Sequence, residues 1–231
     1  MIPPSPGSSK VREDQDRASE AQAQAVENAA VEYAVLLSSV GADKAEKTGP
    51  VVGLHNFEQK LSRISGLKAL YLRPAYFMEN ILPQIGIIQH FGGMAGPLRG
   101  DLKLPMIATQ DIGSAAADEL LNLKFSGKQT RELLGQRDLT YLEVASVIGK
   151  AIGKPDLGYL QMPPAQLKPA LVQMGLSPNM ADLLLEMTDA LNSGHMVELE
   201  ARSPQNTTPT SIESFVAEHI APQFANKSAG A

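Results

Sequence analysis

Residues 71–82 read YLRPAYFMENIL, and the reading of this stretch decides the fold. Its first two residues close an apolar run, residues 67–72, short enough for a buried strand. Arg73 and Pro74 are expected to stop that strand, because proline has no N–H for a ladder and pushes the residue before it toward extended backbone. Tyr76, Phe77, Glu79 and Asn80 follow, polar and aromatic groups crowded into a few positions. In an open parallel sheet, ligands bind in the crevice outside the carboxyl ends of the strands. A site is therefore expected at this strand end.

Upstream, residues 31–37 form a second apolar run, ended by Ser38 and Ser39. Leu54, Phe57, Leu61 and Ile64 recur at helical spacing between the two runs. Strand, helix, strand over so short a distance predicts a parallel, right-handed crossover, with residues 40–52 as a loop. Residues 11–30 are rich in Ala, Glu and Gln and predict a helix, with Ala18, Ala21, Ala25 and Ala29 as a small-residue face against the sheet. Downstream, residues 86–100 read as irregular and glycine-rich, with Gly92, Gly93 and Gly96 in a loop. Residues 104–109 are a short extended segment, and Thr109 is placed to cap a helix over 110–122. A short strand follows at 131–134. Thr140 and Glu143 spell a capping box for a helix to 152, closed by Gly153 and Pro155. A strand at 157–162 precedes two helices, 164–174 and 178–192, the second capped by Ser177 with Pro178 in its first turn. Thr210 and Glu213 spell a second box before a last helix ending at Pro222.

With 43% hydrophobic and 19% charged residues among 231, the composition is that of a globular chain with enough length for a core. A net charge of −5 does not suit a broad nucleic-acid surface. The absence of cysteine excludes disulfides, thiolate metal sites and a cysteine nucleophile. No apolar run reaches membrane-spanning length, and the N-terminus has no signal-peptide pattern, so the chain reads as soluble and cytoplasmic.

Residues 71–82 also carry a resemblance, which three further segments extend: VLLSSVGA (35–42), GLHNFEQKL (53–61) and LPMIATQDIGSAAADELL (104–121). Together they resemble the NmrA-like family, a branch of atypical short-chain dehydrogenases that bind NAD(P), over residues 2–222. The fold this implies is α/β: the second half of a doubly wound, Rossmann-like parallel sheet in residues 1–100, a smaller and mostly helical substrate-side lobe in 101–222, and a disordered tail in 223–231. The glycine-rich strand–turn–helix with which that family binds the pyrophosphate has no counterpart in the sequence, so the chain reads as a truncated form beginning where the family's fourth strand ends.

The resemblance assigns cofactor contacts to Ser38, Ser39, Arg73, Pro74, Tyr76 and Asn80, with NADP or NAD as the cofactor. In short-chain dehydrogenases a serine at the position of Ser38 polarises the substrate carbonyl; the structural alternative is that both serines bond the turn backbone. The Tyr-x-x-x-Lys pair of those enzymes is missing: the helix reads Gly53-Leu54-His55-Asn56-Phe57-Glu58-Gln59-Lys60. His55 is then the nearby group with a useful proton, unless it bonds a loop carbonyl at the helix start. Tyr76 and Asn80, four apart, would share a helix face and line the crevice, or else pack in the core and cap a turn. Arg73 could take a cofactor phosphate or pair with Glu79. Ser38, His55, Pro74, Tyr76 and Asn80 are expected to converge on one crevice.

Two function classes follow. One is an NAD(P)H-dependent quinone or azo-type reductase acting on a flat small-molecule electron acceptor, which can take hydride without the missing tyrosine acid. The other is an NAD(P)-sensing regulator that acts through a protein partner, or an inactive fragment. Without the pyrophosphate cradle, NAD(P)H binding is expected to be impaired. The strand at 31–37, lacking a neighbour, is expected to form a sticky edge and a homo-oligomer contact.

Overall fold

The computed structural model describes Ile2 and residues 5–225. In chain order the elements are α1 (Val11–Asn28), β1 (Tyr33–Leu37), α2 (Val51–Ser62), β2 (Lys68–Pro74), β3 (Tyr76–Phe77), a 3-10 turn at Met78–Ile81, α3 (Gln84–Phe91), β4 (Met94–Gly96), β5 (Leu104–Ile107), α4 (Thr109–Asn122) and β6 (Lys128–Leu133). Then come β7 (Asp138–Leu139), α5 (Tyr141–Ala151), β8 (Tyr159–Gln161), α6 (Pro164–Gln173), α7 (Pro178–Asn192), α8 (Ile212–Phe215), a π-turn at Val216–Ile220 and α9 (Pro222–Ala225). The chain divides into two compact units. The first is Met1–Pro74 with Gly113–Glu132 and Pro164–Ala201; the second is Ala75–Ile112 with Leu133–Pro163 and Arg202–Ala231. No described helix is long and apolar enough to cross a membrane.

The first unit is built on the expected crossover. β1 and β2 pair in parallel, Tyr33 opposite Lys68 through Leu37 opposite Leu72, in a sheet of order β1-β2-β6. Arg73 and Pro74 do not stop β2. The Pro74 carbonyl accepts from the Val40 N–H, so the lost N–H of proline costs β2 no bond to the loop after β1. One sheet face packs Leu36, Ala69 and Tyr71 against Ala23 of α1 and Phe57 and Leu61 of α2. The alanine face expected for α1 is not the buried one: Val11, Gln15, Ser19 and Ala23 are, while Ala21, Ala25 and Ala29 are exposed. The polar pair is buried because it has partners. Gln15 donates to the Pro50 carbonyl, and Ser19 accepts from Lys60. The helices meet closely at Gly53, where a Cβ would lie 2.6 Å from the Gln15 Oε1.

In the second unit, β3 runs parallel to β5, β5 antiparallel to β7, and β4 parallel to β8. Met106, Ile107, Ile148 and Phe215 are among its fully buried side chains. Residues 86–100 are not irregular throughout. α3 fills the first part, Gly92 ends it in the left-handed region, and Gly96 lies in β4. Thr109 is the first residue of α4 and not its cap; its N–H and hydroxyl both donate to Glu79. The capping box of Thr140 and Glu143 forms as expected. The second box does not. Ser211 caps α8, Thr210 donates to Asp111, and Glu213 pairs with Arg137. Pro222 opens α9 instead of ending a helix. Of the expected tail 223–231, residues 223–225 are helical and 226–231 lie outside the described residues.

Candidate functional site

Two groups of polar side chains stand out, one in each unit. In the first unit, Ser38 directly follows β1, and Glu58 sits on the buried side of α2 between Phe57 and Leu61. An acid there needs a cation, and Arg73 on β2 supplies it. Its Nε and Nη2 donate to the two Glu58 oxygens at 3.0 and 2.5 Å. The side chains are 12% and 4% exposed, so this bidentate pair is screened from water. The Ser38 hydroxyl donates to Glu58 Oε1 at 2.5 Å, and the Tyr71 hydroxyl donates to the Glu58 carbonyl. Burial disfavours the charge on Arg73, but the Glu58 carboxylate outweighs it and holds the guanidinium pKa above its ordinary value.

The other residues singled out at this strand end also have internal partners. Ser39 donates to the Val40 carbonyl, the turn-backbone alternative. His55 Nδ1 lies 2.8 Å from the Ala42 carbonyl. A carbonyl only accepts, so Nδ1 carries the hydrogen of this bond. Arg73 pairs with Glu58 and not with Glu79. Glu58 itself escaped the sequence reading. Its signal was an acid on the face of α2 marked by Leu54 and Leu61.

In the second unit, Tyr76 and Asn80 do not share a helix face: Tyr76 lies in β3, and Asn80 is exposed in the 3-10 turn. Tyr76 instead joins two tyrosines that sequence reasoning missed. Its hydroxyl is 2.9 Å from that of Tyr141, the first residue of α5, and the rings meet edge to face at 6.2 Å. Tyr141 and Tyr159 of β8 follow at 4.8 Å, and the Tyr159 hydroxyl donates to the Leu98 carbonyl. The capping box fixes Tyr141 by ordering the turn in which it sits. Burial raises the pKa of all three phenols, and for Tyr141 the neighbouring Tyr76 adds to the effect. They are neutral donors at physiological pH, with the Tyr141 ring at 76° to that of Tyr76 and at 39° to that of Tyr159. A single hydrogen bond joins the Tyr76 and Tyr141 oxygens, so one of the two hydroxyl hydrogens is not used between them.

A parallel crossover with a polar strand end defines an α/β protein of the Rossmann-like class. The match to known proteins is more particular. Residues 12–216 match the model of the NmrA-like family, and the chain belongs to that family. It is 28% identical over 165 residues to the NAD(P)H azoreductase of Xenophilus azovorans, covering 71% of this chain and 56% of that one. It is also 28% identical over 189 residues to the prestalk A differentiation protein A of Dictyostelium discoideum, covering 80% and 58%. The chain thus spans somewhat over half the length of these relatives. Among solved structures, the NADPH-dependent quinone oxidoreductase of Escherichia coli in complex with NADPH superposes with a TM-score of 0.76 at 24% identity, over 91% of this chain and 73% of that one. The fold is therefore Rossmann-like.

A pyrophosphate rests on free N–H groups at a helix N-terminus. Before α2, the Gly49 N–H donates to Glu186. At α4, Glu79 takes the Thr109 N–H, and at α5, Glu143 takes the Thr140 N–H. Each of these helix starts already holds a carboxylate.

Proposed function

We propose that this protein is an NAD(P)H-dependent reductase of flat electron acceptors, quinones or azo compounds, with Tyr76 as proton donor. The observation that carries this is the Tyr76–Tyr141 hydroxyl pair. Either hydroxyl can donate to the other; in the arrangement this reading uses, Tyr141 donates to Tyr76, and the Tyr76 hydrogen is left for an acceptor oxygen or nitrogen. A bound dinucleotide supplies hydride. Tyr76 supplies the proton, Tyr159 and Tyr141 hold the aromatic surface, and the resulting phenolate is reprotonated by water. The missing Tyr-x-x-x-Lys pair is thus replaced in role, though not in position. Cofactor contacts at Tyr76 and Asn80 concern the nicotinamide end alone. Because the N–H groups of Gly49, Thr109 and Thr140 at the starts of α2, α4 and α5 are already taken by carboxylates, low affinity for NADPH is part of this reading. Oxidation of millimolar NADPH against a quinone and azo panel tests this: the expected result is turnover with a KM for NADPH in the millimolar range. No turnover with any acceptor overturns it.

A second reading, an NAD(P)-sensing regulator without turnover, draws on the internal bonding of Ser38, which turns its hydroxyl to Glu58 and away from carbonyl chemistry. It requires NADP⁺ and NADPH to bind with different affinities, measured by calorimetry; equal affinities remove it.

A further inference from the structure

Gln84, the first residue of α3, is buried, and its side chain takes the place of a neighbouring strand. In the β4–β8 pair the Met94 N–H donates to the Gly158 carbonyl, and the Gly96 carbonyl accepts from the Met162 N–H. Alternate residues of a parallel strand bond to the same neighbour, so Met94 and Gly96 serve β8, and Ala95 between them directs its N–H and C=O away from it. One side chain takes both groups. Gln84 Nε2 donates to the Ala95 carbonyl at 2.9 Å, and the Ala95 N–H donates to Gln84 Oε1 at 3.1 Å. The partners are backbone groups of fixed polarity, so the amide has a single orientation. β4 is thereby held on one edge by α3 and on the other by β8.

The strand held in this way builds a slot for Tyr159. Tyr159 stands opposite Met94 in the ladder, and its hydroxyl donates at 2.8 Å to the carbonyl of Leu98, just beyond β4. A Cβ at Gly96 would lie 3.0 Å from that hydroxyl, and one at Gly100 would lie 3.2 Å from the ring Cδ1. The ring therefore fits because both positions lack a side chain. Two strands alone are marginally stable, and a slip of one residue would turn Tyr159 to the other face. We propose that Gln84 is the positioning residue of the tyrosine site: its amide fixes β4, β4 fixes the Tyr159 ring, and that ring sets Tyr141 against Tyr76. The consequence for turnover rests on Tyr76 as proton donor, the reading given above; the consequence for the Tyr159 ring does not.

Gln84→Met keeps the length of the side chain and neither hydrogen bond, and Gln84→Glu keeps only the oxygen that accepts from Ala95. Both are tested by absorbance titration of the phenols in alkali, by melting temperature, and by kcat for quinone reduction at millimolar NADPH. Burial holds the Tyr159 phenol above its ordinary range, so an unseated ring ionises at lower pH. The expected result is that one of the five phenols titrates earlier in the variants, and that this step disappears when Tyr159→Phe is added. With it, kcat falls roughly 10-fold at unchanged KM for NADPH, part of what a misplaced acid can cost. A titration of either folded variant that matches the parent's overturns the proposal. So does an earlier phenol step with unchanged kcat, where Tyr76→Phe is slow. Where Tyr76→Phe is as fast as the parent, it is the proton-donor reading that has failed, and the titration alone decides whether Gln84 seats Tyr159.

Discussion

The strand end of the first unit and the tyrosine cluster of the second use polar groups in opposite ways. Glu58, Arg73 and Ser38 satisfy one another. A charge of each sign and a hydroxyl close into a bidentate pair with a third bond, and little is left to offer a ligand. Tyr76, Tyr141 and Tyr159 carry no charge, and their pairing leaves a hydrogen over. A buried ion pair is held in place by what breaking it would cost, whereas a neutral hydroxyl pair can change partners cheaply. The first arrangement suits a structural clasp, and the second suits a site.

Breaking the clasp has the largest expected effect. Glu58→Ala leaves the Arg73 guanidinium buried without its carboxylate and is expected to lower stability by about 3–5 kcal/mol in denaturant titration. Replacing Glu58 and Arg73 together by methionine is expected to restore most of the loss. If the single variant is as stable as the parent, the contrast between the two regions fails.

The phenols answer to alkali. Their folded pKa values are raised by burial above the unfolded value of about 10, so the folded state holds these protons more tightly. The stability they contribute is present in full below about pH 10 and is lost as pH rises through the folded pKa values. Unfolding free energy is expected to fall between mildly and strongly alkaline solution, and to fall less steeply in Tyr159→Phe. The smallest effect is at the cap. Thr140→Ala removes half of the box that orders the turn of Tyr141 and is expected to cost about 1 kcal/mol, with the Tyr76 contact loosened.

Local rules carried much of the fold. The apolar runs gave β1 and β2, Thr140 with Glu143 gave the start of α5, and Ser177 with Pro178 gave the start of α7. What failed depended on distant partners. Gln15 and Ser19 are buried because the Pro50 carbonyl accepts from the first and Lys60 donates to the second, and no pattern within α1 records that. Thr210 looked like a cap until Asp111 claimed it, almost a hundred residues away in sequence. Of the candidate site, the sequence singled out Tyr76 at its strand end, but on a helix face that does not form. Tyr141 and Tyr159 were not singled out, because the cluster joins three strand and helix segments far apart in the chain.

The central claim is that Tyr76 delivers the proton, and the most direct measurement is kcat for quinone reduction by Tyr76→Phe at millimolar NADPH, beside its melting temperature. The account predicts a fall of roughly 100-fold in kcat, the lower range for loss of a general acid, with the KM for NADPH and the melting temperature little changed. A Tyr76→Phe protein that reduces quinone as fast as the parent would contradict it.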